Sequence, residues 1–441
     1  MDNVNKISFI VVYIISSIFS IYYIIRCKKK NGKLRIIDFF NIYYTLVYFI
    51  VPIFSFYNTS HTFMINYARY FNYSTVYHLI SFFYSIIFIH ILNYIYNKAT
   101  FKFRQEKEIK INIISFFSLN LFFTIVGFIA YYLWTKVYGF PFGIIKYADL
   151  LRDGTVIVNN PYTIMQPFCN FLSLSAYMWL VYSKNEKNTI MKIISKILFC
   201  FSFFFALVSA LATDGRMSII VVFLVPIVYH LNYNKISIKK LIIIGVFSLL
   251  LLGNLNNITY FIRNGKKNTR MKSENLITNI ISDEFGYTYT NRINLLNNIK
   301  YGDINITEGN DLLNIVFAWV PKSKKPDYLI SLSKYNTSLY RNPSGAIPTD
   351  IVTAGIYKGR FLGVIFLSIF VGLLIKFLDN FFMNKSSDFY KMIYTIIGVT
   401  ITLRLVAYYD ISEILFSRFA LIIYYFSVSI MCKRRIHNEN V

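Results

Sequence analysis

The stretch 361-FLGVIFLSIFVGLLIKFLDNF-381 decides the fold class. Its only charges are Lys376 and Asp379, towards one end, and it meets the ~20 predominantly apolar residues that an α-helix needs to cross the hydrocarbon layer of a bilayer. Inside that layer a backbone N–H or C=O has no water to pair with, so such a run must close its hydrogen bonds within itself, as a helix. Runs of the same character lie on either side. Working outward, they cover 7–25, 36–57, 76–97, 111–134, 164–183, 194–212, 217–233 and 240–257 before it, and 392–409 and 414–431 after it. These runs predict an all-α, polytopic integral membrane protein with about eleven transmembrane helices.

The composition points the same way. The chain is 56% hydrophobic, 19% aromatic and 15% charged, more apolar surface than a soluble domain of this size could cover. The first run has no basic segment before it and no small-residue cleavage site after it, so it is expected to remain as a helix rather than to be removed as a signal peptide.

Basic residues orient the helices, because short cytoplasmic loops collect Lys and Arg. One alternating set of loops is rich in them: 26–35, then 98–110, 184–196, 235–240, 385–391 and finally Lys433, Arg434 and Arg435. The other set holds few, among them Arg69, Lys136, Lys146, Arg152 and Arg216. The rich set is read as cytoplasmic, which puts the N-terminus outside and the C-terminus inside. The net charge of +25 is then largely the inside-positive bias, suited to anionic lipid headgroups. No folded basic domain for nucleic acid is visible. Cys27, Cys169, Cys200 and Cys432 show neither a disulfide framework nor metal spacing, and the histidines are scattered, so neither a metal nor another cofactor is expected.

The expected organisation is an N-terminal membrane block 1–257, an extracytoplasmic loop 258–360 and a C-terminal membrane block 361–441. The loop is too polar to span and too long for a simple connector. Within it, 273–300 has helical spacing, with Leu276, Ile280, Phe285 and Leu295 on one face. Leu312–Val320 reads as a re-entrant or interfacial helix stopped by Pro321. Pro343, Gly345 and Pro348 break the chain before a second apolar stretch, Ile351–Tyr357.

Three places could carry chemistry. The turn Thr213-Asp214-Gly215-Arg216 offers a guanidinium at the outer boundary, where it could hold a pyrophosphate in a fork or simply meet lipid headgroups. The set Arg404, Asp410, Glu413 and Arg418 lies in the last hairpin, as a site or as an internal salt-bridge lock. The loop elements Val320–Pro326, Arg341–Gly345 and Thr353–Tyr357 form the third. Asp350 precedes the last of these, placed either to act as a base or to cap the next helix.

The order of these loop elements, a re-entrant-like apolar stretch, a Pro–basic–Pro segment, a Ser/Gly/Pro turn and an aromatic ending an apolar helix before Gly363, resembles the C-terminal region of the O-antigen and capsule repeat-unit polymerases. The Asp-Gly-Arg turn at 214–216 is similar to that family's Arg-bearing turn. Ala354 and Gly355 stand where the family often has an acid, and the nearest acid is Asp350. The loop lacks the histidine used by the related O-antigen ligases, which favours polymerase over ligase. The resemblance implies a multi-pass enzyme of the bacterial cytoplasmic membrane, joining polyprenyl-pyrophosphate-linked oligosaccharides on its outer face without a metal. It implies Arg216, Arg263, Arg341, Arg360, Arg404, Lys322 and Tyr357 as pyrophosphate or substrate contacts, and Asp350, Asp214 or Asp410 as the acid–base group. Membrane lipids, a chain-length regulator and a flippase are the implied partners, and nucleic acid is not one. Cations aimed at the leaving pyrophosphate, and two lipid-anchored substrates held in register, would supply the rate.

Other classes stand beside this one. A metal-dependent glycosyltransferase with a lipid-monophosphate donor would place acids in the first outer loop, but 58–75 contains no Asp or Glu and no Asp-x-Asp occurs. A flippase or other transporter of lipid-linked oligosaccharides is the main non-enzyme alternative, although repeated halves are absent. A membrane scaffold is the third. The topology is open to test: cysteines placed at Lys300 or Ser333 should react with an impermeant thiol reagent in intact cells, and labelling only after permeabilisation would reverse the orientation.

Overall fold

In the computed structural model the described residues are 11, 13–15, 18, 34–53, 75–103, 110–147, 160–213, 216–233, 276–300, 313, 317, 320, 326, 329, 331–340, 347–383, 385, 387–409 and 411–434. They are almost wholly helical. In chain order the helices are α1 (Ile36–Ile53), α2 (Thr75–Lys98), α3 (Ile113–Thr135), α4 (Asn170–Asn185), α5 (Thr189–Thr213), α6 (Arg216–Tyr233), α7 (Leu276–Lys300), α8 (Leu332–Thr337), α9 (Ile351–Met383), α10 (Asp388–Ala407) and α11 (Ile411–Met431). A two-residue antiparallel ladder, Lys110–Ile111 with Lys433–Arg434, accompanies them.

Among the described residues six stretches are long and apolar enough to cross a membrane: Ile36–Ile53, Val76–Lys98, Ile113–Tyr138, Thr189–Ala212, Ile351–Met383 and Asp388–Ala407. Each overlaps one of the expected runs, although Ile351–Met383 also takes in residues 351–360, expected to belong to the loop. Over the residues whose side chains are described, Met217–Tyr233 of α6 and Phe419–Met431 of α11 are apolar as well. The expected run 164–183 divides into a 3-10 segment, Thr163–Cys169, and the shorter α4. Pro167 lies in the 3-10 segment and has no N–H to give to an α-helical ladder. The run 240–257, nearly all of 7–25, and most of Leu312–Val320 lie outside the described residues.

The chain divides into two compact units. The first comprises 1–102, 272–380 and 400–414; the second comprises 103–271, 381–399 and 415–441. In the second unit, α3 and α4 are joined by polar contacts between apolar faces. Trp179 Nε1 donates to Thr124 Oγ1 at 3.0 Å, and Asn120 Nδ2 donates to the Ser175 carbonyl at 3.3 Å. The Tyr424 hydroxyl donates to Asn120 Oδ1 at 2.7 Å, and the Phe123 ring lies between Phe171 and Tyr424, at 4.6 and 4.8 Å.

In the first unit, α1 carries polar residues at helical spacing, Asp38, Asn41, Tyr44 and Tyr48, and every one is buried. Each meets a partner. Asn41 and Asn93 of α2 exchange amide hydrogen bonds at 3.0 and 3.2 Å, and the Tyr44 hydroxyl donates to the Ser85 carbonyl at 2.8 Å. The rings of Tyr44 and Tyr48 stack at 4.1 Å. The start of α1 is capped twice: Asp38 Oδ2 accepts from the Arg35 amide at 2.9 Å, and Asp379 Oδ1 of α9 accepts from the Ile36 amide at 3.1 Å. Asp379 Oδ2 also accepts from the Tyr96 hydroxyl at 2.7 Å, which ties α1, α2 and α9 at one carboxylate.

Helix α9 is bent back on itself. Gly359 and Arg360 leave helical geometry, and a Cβ on Gly363 would lie 2.1 Å from the Gly355 carbonyl oxygen. In a straight helix residues eight apart are separated by ~12 Å. The short segment that begins at Ile351 and the long apolar run after Arg360 therefore lie against each other, and glycine at 355 and 363 makes the approach possible.

Lipid tails are as apolar as leucine, so packing and interhelical hydrogen bonds, rather than apolar burial, hold helices together in a bilayer. Asp379→Ala removes two such bonds and should destabilise the chain by about 1–3 kcal/mol, read as thermal unfolding in detergent. Asp379→Asn keeps an acceptor for the Ile36 amide and should lose about half as much.

Candidate functional site

Helix α7 is a polar helix of the segment 258–360, yet from Gly286 to Asn298 nearly all of it is buried within the first unit. Thr288, Thr290, Asn291, Arg292, Asn294, Asn297 and Asn298 are each at most 1% exposed. Buried polar groups need partners, and most of the amides and hydroxyls have them. Asn291 Nδ2 donates to the Pro348 carbonyl at 2.8 Å, and Asn291 Oδ1 accepts from Asn336 Nδ2 at 3.0 Å and from the Tyr340 hydroxyl at 2.6 Å. Asn336 Oδ1 accepts from the Tyr357 hydroxyl at 2.9 Å. Through these bonds α7 and α8 hold the extended segment 347–350 that leads into α9.

That segment ends on Asp350. Its Oδ1 accepts from the Thr353 amide at 3.1 Å, and its Oδ2 accepts from the Thr353 hydroxyl, so Asp350 is the N-cap of α9. Oδ1 also lies 2.7 Å from the Tyr48 hydroxyl, whose proton is shared with the Val406 carbonyl at 3.0 Å. The fourth group on the carboxylate is Arg292 Nη1, at 3.4 Å, and both side chains of this ion pair are 0% exposed. Arg292 Nε donates to Ser81 Oγ at 2.8 Å, and the guanidinium carbon stands 4.4 Å from the centre of the Tyr48 ring. Nη2 has no hydrogen-bond partner among the described residues. Burial works against the charge on Arg292, but Asp350 and the phenols of Tyr48, Tyr13 and Tyr44 hold its pKa above the ordinary value. Beside this centre, Tyr289 is hydrogen-bonded to His78 Nδ1, and the Tyr287 hydroxyl donates to the Ala407 carbonyl at 2.7 Å.

The pair is poorly placed to be a stability device. Charge-assisted bonds run at ~2.7–2.9 Å, and a buried pair repays the several kcal/mol lost on desolvation only when its geometry is excellent. Here the contact is longer, and one guanidinium nitrogen has no protein acceptor among the described residues. A buried Arg–Asp pair kept among apolar helices under those terms is the candidate functional centre.

Of the residues singled out in the sequence, Asp350 is at this centre. Tyr357 is two turns further along α9, buried, with its ring 5.4 Å from that of Tyr335. Arg404 is buried on the last turn of α10, the turn whose Val406 and Ala407 carbonyls accept the bonds above. Arg360 is exposed at the reversal in α9. Arg216 is the first residue of α6, and its side chain is not described; the same holds for the side chains of Glu413 and Arg418 in α11. Asp214, Arg263, Lys322, Arg341 and Asp410 lie outside the described residues. Arg292, Tyr48 and Ser81 were not anticipated. Polar residues recurring every three or four positions within apolar runs, Asp38, Asn41, Tyr44 and Tyr48, then His78, Ser81 and Ser85, are the signal that could have pointed to two of them. Among the described residues no group of three or more His, Cys, Asp or Glu side chains could hold a metal ion. Comparison of the chain with protein-family models, with curated proteins and with solved structures gives no match.

The ion pair makes Asp350→Asn a harsher change than a cap alone would. Asparagine still accepts from the Thr353 amide, but it leaves the Arg292 charge buried and uncompensated, at a cost of about 3–5 kcal/mol. The same cost should follow from Arg292→Gln, and the double variant Arg292→Gln/Asp350→Asn should recover most of it. Thermal unfolding in detergent reads all three; a single Asp350→Asn variant as stable as wild type would contradict the pairing.

Proposed function

We propose that the chain is an oligosaccharide repeat-unit polymerase of the bacterial cytoplasmic membrane, and that the Arg292–Asp350 centre of the first unit carries its reaction. One observation supports this beyond the family resemblance: a guanidinium, with one nitrogen unclaimed among the described residues, is buried beside Asp350, a carboxylate of the segment where the resemblance lies. In the reaction the acceptor hydroxyl oxygen bonds to the anomeric carbon of the donor glycan. The bond from that carbon to the phosphate oxygen breaks, and the polyprenyl pyrophosphate leaves with the electron pair. In this reading Arg292 Nη2, unclaimed among the described residues, is the donor that meets the charge developing on the leaving oxygens. Asp350 already receives four donors, so its role in this reading is to position Arg292 and to start α9. The acceptor proton passes to a phosphate oxygen of the leaving group.

A second reading, a transporter or flippase of the same lipid-linked oligosaccharides, has an observation of its own. Polar side chains follow one another along α1 and α2, from Asp38 through Asn41 and Asn93 to Tyr44, Ser85 and Ser81, and intramembrane polar files mark translocation paths in transporters.

The folded double variant Arg292→Gln/Asp350→Asn separates the readings in cells. The polymerase reading expects single repeat units displayed outside, at normal protein abundance. Repeat units trapped inside would favour the transporter, and full-length polymer would reject both roles for the pair.

A further inference from the structure

The reversal inside α9 is built around an unusual residue. Arg360 has φ 52° and ψ −123°, a combination open to glycine and avoided by residues with a Cβ; among the described residues it is the only non-glycine at positive φ. A glycine at 360 would relax the turn, so the chain holds an arginine there at the expense of backbone strain, a pattern associated with ligand contacts. The side chain is exposed and has no acidic partner among the described residues.

Beyond Arg360 the helix presents an exposed apolar surface. Phe361, Leu362, Phe366 and Phe370 are 42%, 74%, 74% and 51% exposed, and the last three recur every four residues along one face. Phe83 of α2, itself 56% exposed, stacks on Phe361 with ring centres 6.4 Å apart and widens that face. A guanidinium with no acidic partner among the described residues therefore stands at the head of a long apolar strip. Its fork of donors matches phosphate oxygens, and the strip matches acyl chains.

We propose that Arg360 and this strip form a binding site for an anionic membrane phospholipid, with the guanidinium on the headgroup phosphate and the acyl chains along Leu362, Phe366 and Phe370. The site takes a bulk lipid such as phosphatidylglycerol, not the pyrophosphate substrate that the resemblance implies for Arg360, and it stands whether or not the polymerase reading does.

Strain and binding make opposite demands on one residue, and this gives the test. The purified full chain is melted in a neutral detergent with added phosphatidylglycerol or phosphatidylcholine. Wild type should be stabilised more by the anionic lipid. Arg360→Gly should melt at or above wild type without lipid, and should need about tenfold more phosphatidylglycerol to reach the same shift. Arg360→Lys should keep part of the excess, and Arg360→Asn, which also tolerates positive φ, repeats the test should the glycine variant fold poorly. Equal shifts with the two lipids in wild type, or a full anionic excess in both Arg360→Gly and Arg360→Asn, would overturn the site. So would loss of polymer in cells carrying Arg360→Gly with the anionic excess intact, since the arginine would then serve the pyrophosphate lipid.

Discussion

A single carboxylate organises the first unit. Asp350 receives the first turn of α9 through Thr353, the guanidinium of α7 through Arg292 and the hydroxyl of α1 through Tyr48. Tyr48 in turn shares its proton with the end of α10, and Arg292 reaches α2 through Ser81. Five helices thus depend on where one side chain sits. In water such a cluster would contend with solvent for every bond. Among apolar helices the alternative to a protein partner is no partner, so the cluster fixes the relative positions of its helices more sharply than packing alone.

The same constraint accounts for the polar character of helices that ought to be plain. Asn41 with Asn93, and Asp379 with Tyr96 and the start of α1, join helices through hydrogen bonds. The second unit uses the same device with Trp179, Thr124, Asn120 and Tyr424. Arg292 differs from these pairs in being a cation held against a carboxylate, with both side chains fully buried.

How much of this was legible depends on the length scale of the signal. The run 361–381 declares itself because its period and length are local properties, and so do the five other long apolar helices. The run 164–183 is helical throughout, but it opens on a 3-10 segment containing Pro167, which hydropathy does not register. Asp350 was visible as a cap, since an acid directly before an apolar helical stretch is a local pattern. Its pairing with Arg292, 58 positions away, has no periodicity to betray it, and Arg292 looked like one more cation in a basic loop. The bend at Gly359–Arg360 was equally hidden: glycines at 355, 359 and 363 suit a close approach, but composition does not say that the chain reverses.

The bond between Tyr48 and Asp350 spans 302 residues, and this sets a timetable for the nascent chain. At about 5–20 residues per second, synthesis of that interval takes roughly 15–60 s. Throughout it α1 and α2 are already in the bilayer while the helices that complete their hydrogen bonds are still being made. Tyr48 must also wait for Val406, near the C-terminal end. The early helices therefore pass through a long adolescence with exposed polar faces in lipid, during which insertion chaperones can shield them and membrane proteases can recognise them. A chain cut short before α10 keeps those faces permanently, and so carries its own mark for removal.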